Sequence, residues 1–315
     1  INLMKFIKQM NTKLIGLDNN LKKFINLFDK GKLPNKILLS GPKGVGKCTL
    51  SYHLINYIFS KNEDHNYDLT KNEINKENKS FKLIENGSHP NFHLIDLLED
   101  KKNIEISQIR KMINYTTKSS FNDCPKIILI DNTEKLNPNS INALLKIIEE
   151  PNENVYFILI QNNNENILPT LKSRCIIFKI NLSFSQSIEI TNKLLNDNVF
   201  DLLNTDLLNF YDTPGNYINL INFSKKNNLN LNDYDLKNFL NYLIEQKHYK
   251  TNTFINEFIF NIIELYFLKK INIYKNKDKI LTYYSKFIKK SQQCKLFNLD
   301  SESLFMDFKL KLLNE

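Results

Sequence analysis

The chain has 315 residues, 42% of them hydrophobic, and carries 43 Lys and Arg against 34 Asp and Glu, a net charge of +9. That length supports two or three domains with real cores and excludes a small disulfide-stapled scaffold. No apolar run reaches the length of a membrane span and no secretory signal is visible at the start, so a cytoplasmic setting is expected.

In chain order, Asp18 is placed to cap a helix with Leu21, Phe24, Ile25 and Phe28 on one face. Lys36-Ile37-Leu38-Leu39-Ser40 is a short apolar run of the kind that forms a buried parallel strand. It opens into residues 41–49, G-P-K-G-V-G-K-C-T, where Gly41, Gly46 and Lys47 keep the spacing of a phosphate-binding loop and Gly44 adds a third glycine. Glycines let successive N–H groups turn inward to cradle phosphate oxygens, at the start of a helix that favours anions. Lys47 would reach the β- and γ-phosphates. The next position calls for a hydroxyl to hold Mg²⁺, and here it is Cys48. A thiol is a soft ligand, mostly protonated at neutral pH. Thr49 follows, but one helical step turns a side chain by roughly 100°, so it does not replace position 48 directly. Cys48 at a helix start is also where thiolate character can rise.

Leu50, Leu54, Ile55 and Ile58 continue as a helix, and residues 61–80 read as a polar surface excursion, partly disordered. Gly87-Ser88-His89-Pro90 turns into a second strand, Phe92 to Leu97, and Ser107 is the expected cap for the helix of Ile109, Met112 and Ile113. Lys126 to Ile130 is an apolar strand ending in Asp131. Ligands of parallel sheets bind at the carboxyl ends of strands, so Asp131 is expected on the rim of the phosphate loop. Asn139 or Ser140 starts the next helix, with Ile141, Leu144, Leu145 and Ile148 in phase, and Pro151 stops it. Val155 to Ile160 and Cys175 to Ile180 complete a parallel α/β sheet of about five strands. Beyond residue 180 helical periodicity dominates, over 183–197, 214–227, 235–247, 252–270, 278–290 and 301–313. The expected domains are therefore 1–180, a P-loop α/β domain; 181–228, a small helical lid; and 229–315, a helical C-terminal collar. The aromatic run Phe254, Phe258, Phe260, Tyr266 and Phe267 reads as packing. The cysteines 48, 124, 175 and 294 stand singly, and the five histidines show no metal spacing and read as surface or turn residues, so no metal site is expected.

Four features occur in one order: the loop at 41–49, the strand ending in Asp131, the helix N-A-L-L-K-I-I-E-E-P over 142–151, and Leu168-Pro169-Thr170-Leu171-Lys172-Ser173-Arg174-Cys175. This order resembles the clamp-loader branch of the AAA+ ATPases over residues 1–228. Gly87-Ser88-His89-Pro90 and Ile106-Ser107-Gln108-Ile109-Arg110 fit its bacterial non-motor subunits. The resemblance implies a place in a five-subunit ring, joined by C-terminal collars, that opens a sliding clamp and sets it on primed DNA. Its partners would be motor and clamp-opening subunits, the clamp, and DNA through the complex. It also implies that Arg174 is an arginine finger given in trans to a neighbour's nucleotide, a role worth roughly 10³–10⁵ in rate; the plainer reading is a surface ion pair. Many relatives carry a four-cysteine zinc module after the loop, but residues 61–90 hold no cysteine, so no zinc is expected.

Three departures from active members stand together. Cys48 replaces the hydroxyl, Asn132 follows Asp131 where a Glu usually polarises water, and Gly215-Asn216-Tyr217-Ile218 lacks the usual Arg. Glu134 is expected to face elsewhere. A subunit without its own hydrolysis is the reading this gives, with Gly41, Gly44, Gly46, Lys47, Cys48, Thr49 and Asp131 binding ATP or ADP weakly or kept for structure alone. Three alternatives stay open. An active loader ATPase would turn over ATP alone; a small-molecule kinase would transfer phosphate to a nucleoside or monophosphate. A DNA-binding adaptor would show steep salt dependence. The net charge suits the last, although a chain rich in Asn, Lys and Ile also accounts for many solvated lysines.

Overall fold

Five apolar runs become five parallel strands, and each of the first four feeds a helix that returns the chain to the same sheet. The computed structural model describes residues 11–98, 101–118, 120, 124–152, 154–162, 169–273, 277–297 and 299–313. The strands are β1 (Lys36–Gly41), β2 (Phe92–Ile95), β3 (Lys126–Ile130), β4 (Val155–Asn162) and β5 (Ile176–Lys179), in the order β2-β3-β4-β1-β5. β1 lies beside β4 with Gly41 opposite Asn162. The polar end of β4 therefore arrives at the start of the phosphate loop.

Alternation assigns the two faces. Ile37, Leu39, Ile127, Leu129, Ile158 and Ile160 point into one core, beneath α1 (Asp18–Asp29) and α2 (Lys47–Ser60). Leu38, Ile128, Ile130, Phe157 and Leu159 point into the other, with α4 (Ile106–Thr116) and α5 (Pro138–Glu149). A short α3 (Lys79–Glu85) lies between α2 and β2 in sequence, and α6 (Pro169–Lys172) precedes β5.

Several local expectations are corrected. Asp18 is the first residue of α1, not its cap; its carboxylate instead accepts from Asn72 Nδ2 at 2.7 Å. Glu105, not Ser107, caps α4, and its N–H donates to Gln108 Oε1 at 3.1 Å. Asn137 caps α5, accepting from the Ser140 N–H at 2.8 Å, with Pro138 in the first turn where its missing N–H costs nothing.

The excursion after α2 is ordered rather than loose. Tyr67 and Ile74 are buried in the first core, and His53, fully buried on α2, meets the Tyr67 hydroxyl at 2.8 Å through Nδ1 and the Asn11 carbonyl at 3.0 Å through Nε2. Burial holds His53 well below its ordinary range, at about 4. It is therefore not a surface histidine; a neutral imidazole pins a polar segment to a helix. Asn78 caps α3 from within, accepting from the Phe81 N–H and donating to the His65 carbonyl at 2.7 Å. Two apolar side chains and a few buried amides order a stretch whose composition points to solvent.

After β5 the chain is helical: α7 (Phe184–Leu195), α8 (Val199–Leu202), α9 (Pro214–Lys226), α10 (Leu236–Glu245), α11 (His248–Thr251), α12 (Thr253–Ile273), α13 (Lys277–Phe297) and α14 (Glu302–Phe308), then a last wide turn, Lys309–Leu313. Contacts divide the molecule into two compact units, Ile1–Lys193 with Thr213–Asn216, and Leu194–Asp212 with Tyr217–Glu315. The second unit has its own core of Phe239, Leu240, Ile255, Ile259 and Phe305. The aromatic run packs as expected: Phe254 on Phe258, Phe260 on Phe305 and Tyr266 on Phe308, with ring centroids 4.8–5.6 Å apart. Among the described residues no helix is long and apolar enough to cross a membrane.

Candidate functional site

The phosphate loop turns on two glycines in the left-handed region, Gly44 at φ +84° and Gly46 at φ +96°, conformations that glycine adopts without strain. Gly41 is needed for space, since a Cβ there would stand 2.1 Å from the Ile180 carbonyl oxygen. Lys47 opens α2 and is buried. Its ammonium donates to the Gly41 carbonyl at 2.8 Å, the Pro42 carbonyl at 2.6 Å and Asn162 Oδ1 at 3.1 Å. An ammonium has three protons, so all of its donors are engaged by the protein. Burial draws its pKa down to about 8, while the charges of Asp131 and Glu134 pull the other way.

Asp131, as expected, follows β3 on this rim and is buried. Burial first, and the Asp96 carboxylate second, push its pKa up to about 6. It accepts from the Asn132 N–H at 2.8 Å and from the Cys48 thiol. It is Cys48, not Thr49, that meets Asp131. Burial and then Asp131 push the Cys48 thiol well above the ordinary range, which reverses the expected rise in thiolate character at a helix start. Asn132 sits at φ +51°, a left-handed conformation that asparagine tolerates better than most residues. Its Nδ2 donates to Asp96 Oδ1 at 2.7 Å.

Glu134 does not face elsewhere. The turn after Asn132 brings it to the end of β4, where Oε1 accepts from Asn162 Nδ2 at 2.6 Å and Oε2 from the Asn162 N–H at 3.3 Å. Asn162 and Asp96 are thus rim residues that sequence reasoning left out, and Glu134 is one that it placed wrongly. The available signals were the polar Gln161-Asn162 ending of an otherwise apolar strand and the carboxylate of Asp96 directly after β2.

The loop is also closed from outside. Thr213 Oγ1 donates to the Lys43 carbonyl at 2.8 Å, and the Gly215 N–H to the Gly44 carbonyl at 3.0 Å. Gly44 and Gly215 lie back to back: a Cβ on Gly215 would stand 2.6 Å from Gly44 Cα, and one on Gly44 would stand 2.5 Å from Thr213 Oγ1. While it holds Gly41, Pro42 and Asn162, the Lys47 ammonium has no proton left to offer a phosphate.

Arg174 is not at this rim. It precedes β5, whose Ile176 pairs with Ile37, so it belongs to the amino ends of the strands, the opposite edge of the sheet. Four residues of strand, about 13 Å, separate those levels. Its Nε donates to Glu149 Oε1 at 2.7 Å, with NH2 at 2.5 Å from the same oxygen, and NH1 donates to the Thr170 carbonyl at 2.8 Å. Leu168, the first residue of that motif, lies outside the described residues. Among the described residues no group of three or more His, Cys, Asp or Glu is arranged to hold a metal ion.

A family model described as DNA polymerase III, delta subunit, matches residues 16–183, more than half of the chain. The DNA polymerase III subunit gamma of Buchnera aphidicola subsp. Schizaphis graminum is 35% identical over 185 residues, covering 58% of this chain and 48% of that protein. The DNA polymerase III subunit delta' of Pseudomonas aeruginosa is 30% identical over 139 residues, 44% of this chain and 40% of the relative. The chain thus spans about half, or less, of the curated relatives it matches. A solved DNA polymerase III gamma subunit-related protein from Thermotoga maritima aligns at 14% identity over 91% of this chain and 96% of that one, with a TM-score of 0.46.

Proposed function

The chain belongs to the DNA polymerase III delta-subunit family, and from that premise we propose that it is a delta-prime-type, non-motor subunit of a clamp loader. In this reading it helps a ring of motor and clamp-opening subunits set a sliding clamp on primed DNA. It hydrolyses no ATP itself, holds neither zinc nor a tightly bound nucleotide, and lends Arg174 to a neighbouring subunit. Residues 181–228 act as its lid and 229–315 as its collar.

The observation that carries the reading is the self-satisfied loop. Lys47 spends its three donors on Gly41, Pro42 and Asn162, and Thr213 and Gly215 press on Lys43 and Gly44. A thiol bonded to Asp131 stands where a magnesium-binding hydroxyl belongs. Were a nucleotide bound, the loop amides and Lys47 would hold its phosphates; in the closed arrangement the Lys47 ammonium serves the fold instead.

The placement of Arg174 supports action in trans. At the amino ends of the strands it cannot serve its own loop. Its pair with Glu149 is partly exposed, at 35% and 48% of the two side chains. Such surface pairs are worth about 0–1 kcal/mol, so exchanging Glu149 for a phosphate costs little.

The test is ATP hydrolysis by the chain alone, then in a ring reconstituted with its motor and clamp-opening subunits. We expect no turnover alone. In the ring, Arg174→Ala should slow turnover at the site it faces by roughly 10³ or more. Robust turnover by the isolated chain, lost on Lys47→Ala, would overturn the reading. It would favour an active ATPase, for which the one supporting observation is Glu134 on the loop rim beside Asn162.

A further inference from the structure

We propose that a basic cavity in the second unit takes a phosphorylated nucleoside, either free or as a link in a single strand. The cavity encloses about 380 Å³ and is walled by α12, α13, α14 and the last turn, a size within the range of small-ligand sites. Its floor is Phe267, Phe287 and Phe308, none more than 6% exposed. Its lining includes Lys279, Lys286, Lys290 and Lys311 and one carboxylate, Asp307.

The sequence of α13 produces this arrangement. Lys279, Tyr283, Lys286 and Lys290 recur at spacings of three or four and so share one helical face. Asp307 accepts from Lys311 at 2.6 Å and from Lys290 at 3.4 Å, so a single carboxylate is shared between two lysines. Lys311 also lies 5.5 Å from the centroid of the Tyr283 ring.

Like charges around an apolar floor repel one another and focus a positive potential into the cavity. A bound anion relieves the repulsion, and Lys ammonium groups suit phosphate as point charges. Lys286 and Lys290 are one turn apart, about 6 Å along the helix axis, a spacing that two successive phosphates of a strand can match. An apolar, aromatic floor suits the flat face of a base, the combination found where single strands bind without sequence preference. The cavity lies wholly within the second unit and does not depend on the role proposed for Arg174.

The experiment is fluorescence anisotropy of a short labelled oligo-deoxythymidylate with the full chain across a salt series, with unlabelled oligomer, dTMP and inorganic phosphate as competitors. Lys286→Ala combined with Lys290→Ala should weaken binding about tenfold or more and reduce the salt slope by about 1.4, at ~0.7 per phosphate contact on a single strand. Asp307→Asn should tighten binding severalfold, a gain that a merely structural role would not give. Lys289→Ala, exposed on α13 but outside the cavity, should change nothing. Displacement by dTMP assigns the site to a free nucleoside phosphate, and displacement by oligomer alone assigns it to a strand. Inorganic phosphate competing as well as dTMP, unchanged binding in the double variant, or no binding by the unmodified chain would each overturn the proposal.

Discussion

Asp131 shows how one side chain can be read correctly for place and wrongly for state. The apolar run 126–130 ending in a carboxylate put it on the loop rim, and it is there. Its pKa of about 6 could not be read from the chain, because it arises from burial and from Asp96, a residue 35 positions earlier that meets it only across the β2–β3 pair. The sign of the consequence is definite. A carboxyl whose folded pKa is raised adds stability below its ordinary range, near 4, and loses it as pH rises through about 6. Ionised Asp131 therefore weighs against the fold at pH 8, by about 3 kcal/mol at most for a shift of this size. Asp131→Asn should raise the thermal midpoint at pH 8 and give a much smaller gain at pH 4.5. Equal gains at both pH values would mean that the strain is not electrostatic. Glu134 and Asn162 were illegible for a similar reason: a left-handed Asn132 redirects one, and the β1–β4 register delivers the other.

At the scale of elements, the central strands β1, β3 and β4 were legible because burial on both faces leaves each as an apolar run, the exposed edge strand β5 by its apolar letters alone, and the phosphate loop because its glycine spacing admits few alternatives. The excursion over 61–80 was not. Its ordering rests on Tyr67 and Ile74, two apolar residues separated by polar ones, and on His53 from a different element. No local window contains those partners. The start of α9 was legible as punctuation, Thr213-Pro214-Gly215, but not as a clamp on the loop. That clamp gives a direct prediction. In Gly215→Ala the added methyl would meet Gly44 Cα at 2.6 Å, backbone against backbone, with no flexible side chain to yield. A loss of about 1–3 kcal/mol in unfolding free energy is expected, seen as a lowered denaturation midpoint. A midpoint equal to that of the unsubstituted chain would show that residues 213–216 yield without cost.

For the molecule as a whole, the sequence predicted three parts, and the contacts gather the described residues into two units, each with its own core. The proposed collar makes a prediction at this scale. A chain ending at residue 228 should fail to enter a reconstituted ring by size-exclusion chromatography, and normal entry would count against the collar. The cut also removes Leu231, whose carbonyl accepts from the Asn204 N–H at 3.3 Å, so circular dichroism of the shortened chain must accompany the assembly assay. The closed phosphate loop has one more consequence, for the timing of a motor. A protein responds to a ligand only through a difference in affinity between its states, and in the proposed reading a loop whose lysine is held by its own carbonyls offers little of one. Such a subunit would keep the same form whether the cell is rich in ATP or depleted of it, a stationary post against which its neighbours' cycles are measured.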